Sequence, residues 1–212
     1  TVESSPPVSF RSFNHRDAVA ICAQCHMQSR IGAKVHAGGA VNYTGRSGEF
    51  FPRYRSRPYA EFSAKAFYAD GRFRETTFIV EAFTRTACYR KGGADCASCH
   101  NPHPDDPAAN PTSLKYLEDP DRMCTQCHFA LALDAERHTR HPSASSGARC
   151  AACHMPKIMN SMLFRAASHQ IDETPDVAMT RRFGHAESPN ACLLCHTEKS
   201  TGWLEEKLSQ WR

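Results

Sequence analysis

The spacing of apolar positions predicts regular structure in only a few places. At the C-terminus, "STGWLEEKLSQW" opens on a Ser or Thr start. Trp203, Leu204, Leu208 and Trp211 there fall on one helical face, which predicts a helix over 198–211 with packing tryptophans. Upstream, "YADGRFRETTFIVEAFTRTACYRKGG" has a turn signal at Asp70-Gly71 and a β-rich run from Thr76 to Val80. A helical stretch follows, Val80 to Arg90, stopped by Gly92-Gly93. "PHPDDPAANPTS" and "HPSASSGAR" are Pro- and Ser-rich loops. No stretch approaches the roughly 18 to 20 apolar residues of a membrane-spanning helix. "TVESSPPVSF" lacks the basic start and apolar core of a signal peptide, so the sequence reads as a mature chain or a piece of a longer one. The mean hydropathy of −0.55 leaves little room for an ordinary leucine-rich interior.

Composition changes this picture. The 212 residues include 11 cysteines and 12 histidines. Ten cysteines fall into five Cys-x-x-Cys pairs, each followed directly by histidine: Cys22/Cys25/His26, Cys96/Cys99/His100, Cys124/Cys127/His128, Cys150/Cys153/His154 and Cys192/Cys195/His196. This is the c-type haem attachment signature. Two thiols add to the two vinyl groups, the two intervening residues let one turn of chain span them, and the histidine lies under the iron as proximal ligand. Zinc ribbons also pair such units, but need no histidine after each. Thioredoxin-like pairs occur once per βαβ domain, and a disulfide framework would not repeat one spacing five times. Five haem c groups are the cofactors this predicts. Covalent haem attachment implies export, to the periplasm, cell surface or extracellular space.

The spacing of the pairs is irregular, so this is no solenoid of equal repeats. The chain reads as a single pentahaem cytochrome c domain over 1–212, with a haem-free insert at 27–95 and the C-terminal helix at 198–211. The expected fold is mostly α with long loops and little β, its core packed with porphyrin and stapled by thioethers. The formal charge of +4 would suggest an acidic partner. Ten ionised propionates on five ferric haems reverse its sign, so "RYRSR" at 53–57 reads as a solvated loop or as partners for propionates, and no nucleic acid is expected.

Beyond the five proximal histidines, seven remain: His15, His36, His103, His138, His141, His169 and His185. They suffice for a second nitrogen on every iron. His103, in "CHNPH", lies too close to its own motif to turn back and points to a neighbouring iron. His138 and His141, three apart, can reach two different irons. His15 and His185 each precede a cysteine pair by seven residues and stay open as reserve ligands. Iron held by two histidines has no open position and a low potential, which suits electron transfer. Met155, in "CHMP", is the methionine expected to touch a macrocycle.

"CASCHNPH", "RCAACHMP", "SHQ" and "SPNACLLCHTEKSTGW" resemble the multihaem c cytochromes related to pentahaem nitrite reductases and hydroxylamine oxidoreductases. The likeness is greatest to the cytochrome portion of proteins that continue into tetratricopeptide repeats. It runs from Cys22 to Trp203. The resemblance implies His36, His103, His138, His141 and His169 as distal ligands. Two departures stand out. No Cys-x-x-Cys-Lys site, which carries the catalytic haem of the nitrite reductases, is present, and no tyrosine matches the haem-crosslinked residue of the hydroxylamine oxidoreductases. The eleventh cysteine, Cys88, has three readings: a small apolar thiol, a haem contact or ligand where the group has methionine, or an intermolecular disulfide.

The expectation is an electron-transfer protein rather than an enzyme, relaying single electrons between redox protein partners or other copies of itself. Two alternatives stand beside it: a subunit of an extracellular cytochrome filament or of a larger, possibly membrane-associated redox complex, and an oxyanion reductase with one open haem.

Overall fold

The computed structural model describes residues 13–26, 66–171 and 176–211, the side chains of Gln24 and Cys25 excepted. His36 and the "RYRSR" segment lie outside the described residues, as does the side chain of Cys25. The chain is mostly helical with little sheet, and its helices are short. They are α1 (His15–His26), α2 (Ile79–Thr84), α3 (Ala87–Arg90), α4 (Arg122–Thr125), α5 (Phe129–Ala132), α6 (Ala135–Thr139), α7 (Cys150–His154), α8 (Val177–Phe183) and α9 (Thr201–Ser209). Two-residue strands β1 (Met159–Asn160) and β2 (Arg165–Ala166) pair antiparallel, Met159 opposite Ala166.

The ordinary apolar core among the described residues is small and lies to one side. Asp70-Gly71 makes the expected turn: Gly71 takes φ +86°, a conformation open to glycine, and Phe67 bridges Phe73 across it. Phe67, Phe73 and Phe78 then cluster with ring centroids 4.9–5.7 Å apart, over Ala66, Ala82 and Met159. A second cluster, Val19, Ala23, Val80 and Phe83, packs α1 against α2 and reaches Cys96. The turn is pinned to the region before the fifth motif. Asp70 binds Arg72 at 2.7 Å and accepts from Ser188 Oγ at 2.7 Å. Burial opposes ionisation of Asp70, and the Arg72 and Ser188 hydrogen bonds outweigh it, holding the carboxyl below its usual range.

One sequence expectation fails. Thr76 to Val80 is no strand: a 3-10 turn at Thr76–Phe78 runs straight into α2. Phe78 and Val80 are buried between α1 and the β1–β2 hairpin, and that packing overrides the β preference of Thr, Phe, Ile and Val. The predicted helix from Val80 to Arg90 is divided at Arg85-Thr86, where buried Thr86 accepts from Tyr89 N at 3.1 Å and starts α3 as its N-cap. At the C-terminus Ser200 caps α9 by accepting from Trp203 N at 3.2 Å, and Leu204 buries the helix face. Trp203 does more than pack: its ring lies 5.0 Å from that of His196.

Candidate haem-binding cavity

Each motif folds as one tight turn. In the second, third and fifth motifs the histidine N–H donates to the carbonyl of the first cysteine, at 2.8, 2.9 and 2.9 Å. The fourth motif is α7 itself, and the first closes α1. In the second motif Asp95 sets the turn through a capping box with Ser98, accepting its N–H at 2.8 Å. Two thiols and an imidazole are thereby presented from one short peptide in each of the last four motifs.

The described cysteines and histidines of the first four motifs line one connected cavity of about 3060 Å³, together with Cys88, His103, His138, Met155 and His169. An ordinary small-ligand pocket is about 300–1,000 Å³, so this space suits several large flat groups side by side. Its walls are largely apolar and include Leu131 and Phe164, which stand exposed. Four haem groups attached at these motifs fit such a cavity in number, size and polarity.

The histidines face one another in twos. The His100 and His169 rings are 6.2 Å apart between centroids and 16° from parallel. His138 and His154 are 6.1 Å apart and 7° from parallel. His141 and His196 are 6.1 Å apart at 34°. Each pair joins a motif histidine to one outside any motif. Two metal–nitrogen bonds of roughly 2.0 Å, with each nitrogen about 1.1 Å from its ring centre, span about 6.2 Å. The centroid spacing of each pair matches that span. Among the described residues no three His, Cys, Asp or Glu side chains gather to hold a metal ion by themselves, as a zinc site would need.

Backbone carbonyls orient the rings. His169 Nδ1 donates to Ala167 O at 3.1 Å, His141 Nδ1 to Thr139 O at 2.6 Å, and His100 Nδ1 to Thr112 O at 3.1 Å. A carbonyl only accepts, so Nδ1 carries the proton and Nε2 keeps its lone pair for a metal. Burial pushes the His169 pKa down to about 4, helped by the neighbouring His100 and His26, so the ring is neutral at ordinary pH. Gly147 fits directly against His141: a Cβ there would lie 2.7 Å from Cγ and 2.8 Å from Nε2 of that ring.

The remaining candidates divide. His103 lines the cavity with its backbone in the left-handed region, φ +55°. Among the described residues no histidine ring faces His26 or His128. His15 packs edge-on against Tyr89, centroids 5.0 Å apart, and His185 Nδ1 accepts from Asn190 N at 3.3 Å. Neither reserve histidine lines the cavity, and both serve local packing. Cys88 sits on α3, half-buried on the cavity wall near Cys99 and Cys124.

The thiols also meet across motifs. Cys22 and Cys96 share a hydrogen bond that lowers the Cys22 pKa and raises that of Cys96. Cys124 and Cys150 do the same, lowering Cys124 and raising Cys150. Burial pushes Cys99 and Cys153 up, and Cys192 up to about 11. Residues invisible to motif reading hold these contacts. Asp121 accepts from Cys150 N at 2.9 Å and pairs with Arg149 at 3.2 Å, tying the third motif to the fourth. Its only sequence signal is its place just before a motif.

The family described as "Doubled CXXCH motif" matches residues 89–133, which hold the second and third motifs. No curated protein and no solved structure matches the chain. The doubled motif indicates haem c binding and supports a multihaem c-type cytochrome.

Proposed function

We propose that this chain is an electron-transfer protein carrying five covalently bound haem c groups, held wholly or mostly between two histidines. The observation that carries the reading is the set of three imidazole pairs at 6.1–6.2 Å, each joining a motif histidine to a distal one. Cys22, Cys25, Cys96, Cys99, Cys124, Cys127, Cys150, Cys153, Cys192 and Cys195 bind the macrocycles as thioethers. His26, His100, His128, His154 and His196 are the proximal ligands. His169 stands opposite His100, His138 opposite His154 and His141 opposite His196. His103, and His36 outside the described residues, serve His26 and His128. Bound haem c supplies a one-electron ferric–ferrous couple at each site. Two nitrogens per metal leave no position for substrate, and carbonyl-anchored Nδ1 atoms hold the rings in one orientation through a change of charge.

Kinship with the pentahaem nitrite reductase and hydroxylamine oxidoreductase group, and with its tetratricopeptide-linked members, belongs to the same reading. So do export to an oxidising compartment and redox proteins, or further copies of this chain, as partners. A second reading, reduction of a nitrogen or sulfur oxyanion at one open iron, is favoured by His26 and His128, which face no other histidine among the described residues. A pyridine haemochrome count with intact mass tests the first reading: five haems are expected, and a colourless chain of bare polypeptide mass overturns it. Paramagnetic resonance of the resting protein separates the two readings. Wholly low-spin signals support transfer, and a high-spin signal supports reduction.

A further inference from the structure

Counting the motifs as sites 1 to 5 in chain order, each site contacts the next among the described residues. Sites 1 and 2 meet where α1 packs against the 3-10 turn Cys96–Ser98 and the Cys22 and Cys96 thiols hydrogen-bond. Sites 2 and 3 meet through Gln126, inside the third motif, whose Nε2 donates to Ser98 O, inside the second, at 3.0 Å. The Cys99 thiol there lies in the field of Cys127. Sites 3 and 4 meet through Asp121 and through the Cys124–Cys150 thiol contact. Sites 4 and 5 meet through one turn of chain: His138, on α6, faces His154, while His141, three residues on, faces His196. The Cys153 thiol lies in the field of Cys195.

From these contacts we infer that the five attachment sites form one unbranched line that follows the chain. The inference rests on haem occupying these sites. The line has two ends, at α1 and at the His196–Trp203 contact beside α9, and only these sites have a single neighbour. An electron that crosses the whole line enters at one end and leaves at the other. Site 3, at His128, is the midpoint through which transit between the ends must pass.

Iron positions in the holoprotein, from anomalous diffraction or cryo-electron microscopy, test the order without any substitution. The expected result is five irons in which each one's closest neighbours are the preceding and following sites, with sites 1 and 5 the most distant pair. Two non-consecutive sites closer together than a consecutive pair would overturn the line. Five irons in another order would leave the haem reading standing, whereas a haemochrome count of zero on the same preparation would remove both.

Discussion

Replacing His169 by alanine tests the paired-imidazole geometry at its best-defined point. The His169 ring is half-buried, its centre is 6.2 Å from that of His100, and Ala167 O holds its Nδ1. On the proposed reading, a metal bonded to His100 would lie between the two rings, and a methyl group at position 169 would stop far short of it. That metal would lose one of its two nitrogens, and nothing else in the described residues replaces it. If five irons each carry two histidines, four keep both, so about one fifth of the low-spin signal should convert to high spin. The assay is paramagnetic resonance of the oxidised protein with integration against total haem. Exogenous imidazole should restore the low-spin fraction, since the lesion is a missing nitrogen donor. His185→Ala is the control: that ring only accepts a backbone N–H, and its loss should leave the spin state alone. A wholly low-spin spectrum for His169→Ala would show that His169 is no ligand and would refute the meaning given to the 6.2 Å spacing.

Three further outcomes follow from particular contacts. Gly147→Ala should push the His141 ring aside and give the high-spin fraction of His141→Ala in weaker form; an unchanged spectrum means the ring has room that the 2.8 Å approach denies it. Asp121→Ala removes the acceptor for Cys150 N and the partner of half-exposed Arg149, so holoprotein melting should report a loss of about 1–2 kcal/mol, and an unchanged midpoint would deny the third-to-fourth link. Glu81 is buried, its carboxylate oxygens have no hydrogen-bond partner among the described residues, and burial pushes its pKa up from 4.5 to about 7. The folded chain then holds a proton that the unfolded chain releases between those values, so stability falls as pH rises through that window, by up to roughly 3 kcal/mol. Glu81→Gln should be the more stable protein at pH 8 and lose that advantage near pH 4.5; an equal difference at both would refute the assignment.

What the sequence made legible follows the reach of the chemistry. A thioether pair and its proximal histidine lie within five consecutive residues, so Cys96 to His100 announces itself. The distal partner answers to no such constraint. His169 meets His100 from far along the chain, and only the packing of the fourth-motif region against the second brings them together. Spacing could nominate His138 and His141 for two different irons, yet it could not say which. The strand expected at Thr76 to Val80 failed for a related reason: local preference cannot register that α1 and the β1–β2 hairpin close over Phe78. Gly147 carried no signal at all within its Ser-rich loop, because its role is to be absent where an imidazole must pass.

Arg140 stands between His138 and His141 in a left-handed conformation, φ +57°, that a residue with a side chain adopts at a cost of roughly 1–2 kcal/mol. The corner is closed by its own chain: Arg140 N donates to Glu136 O at 2.8 Å and His141 N to Thr139 Oγ1 at 3.3 Å. One locally fixed bend thus aims two neighbouring rings at two different sites before anything is bound at either.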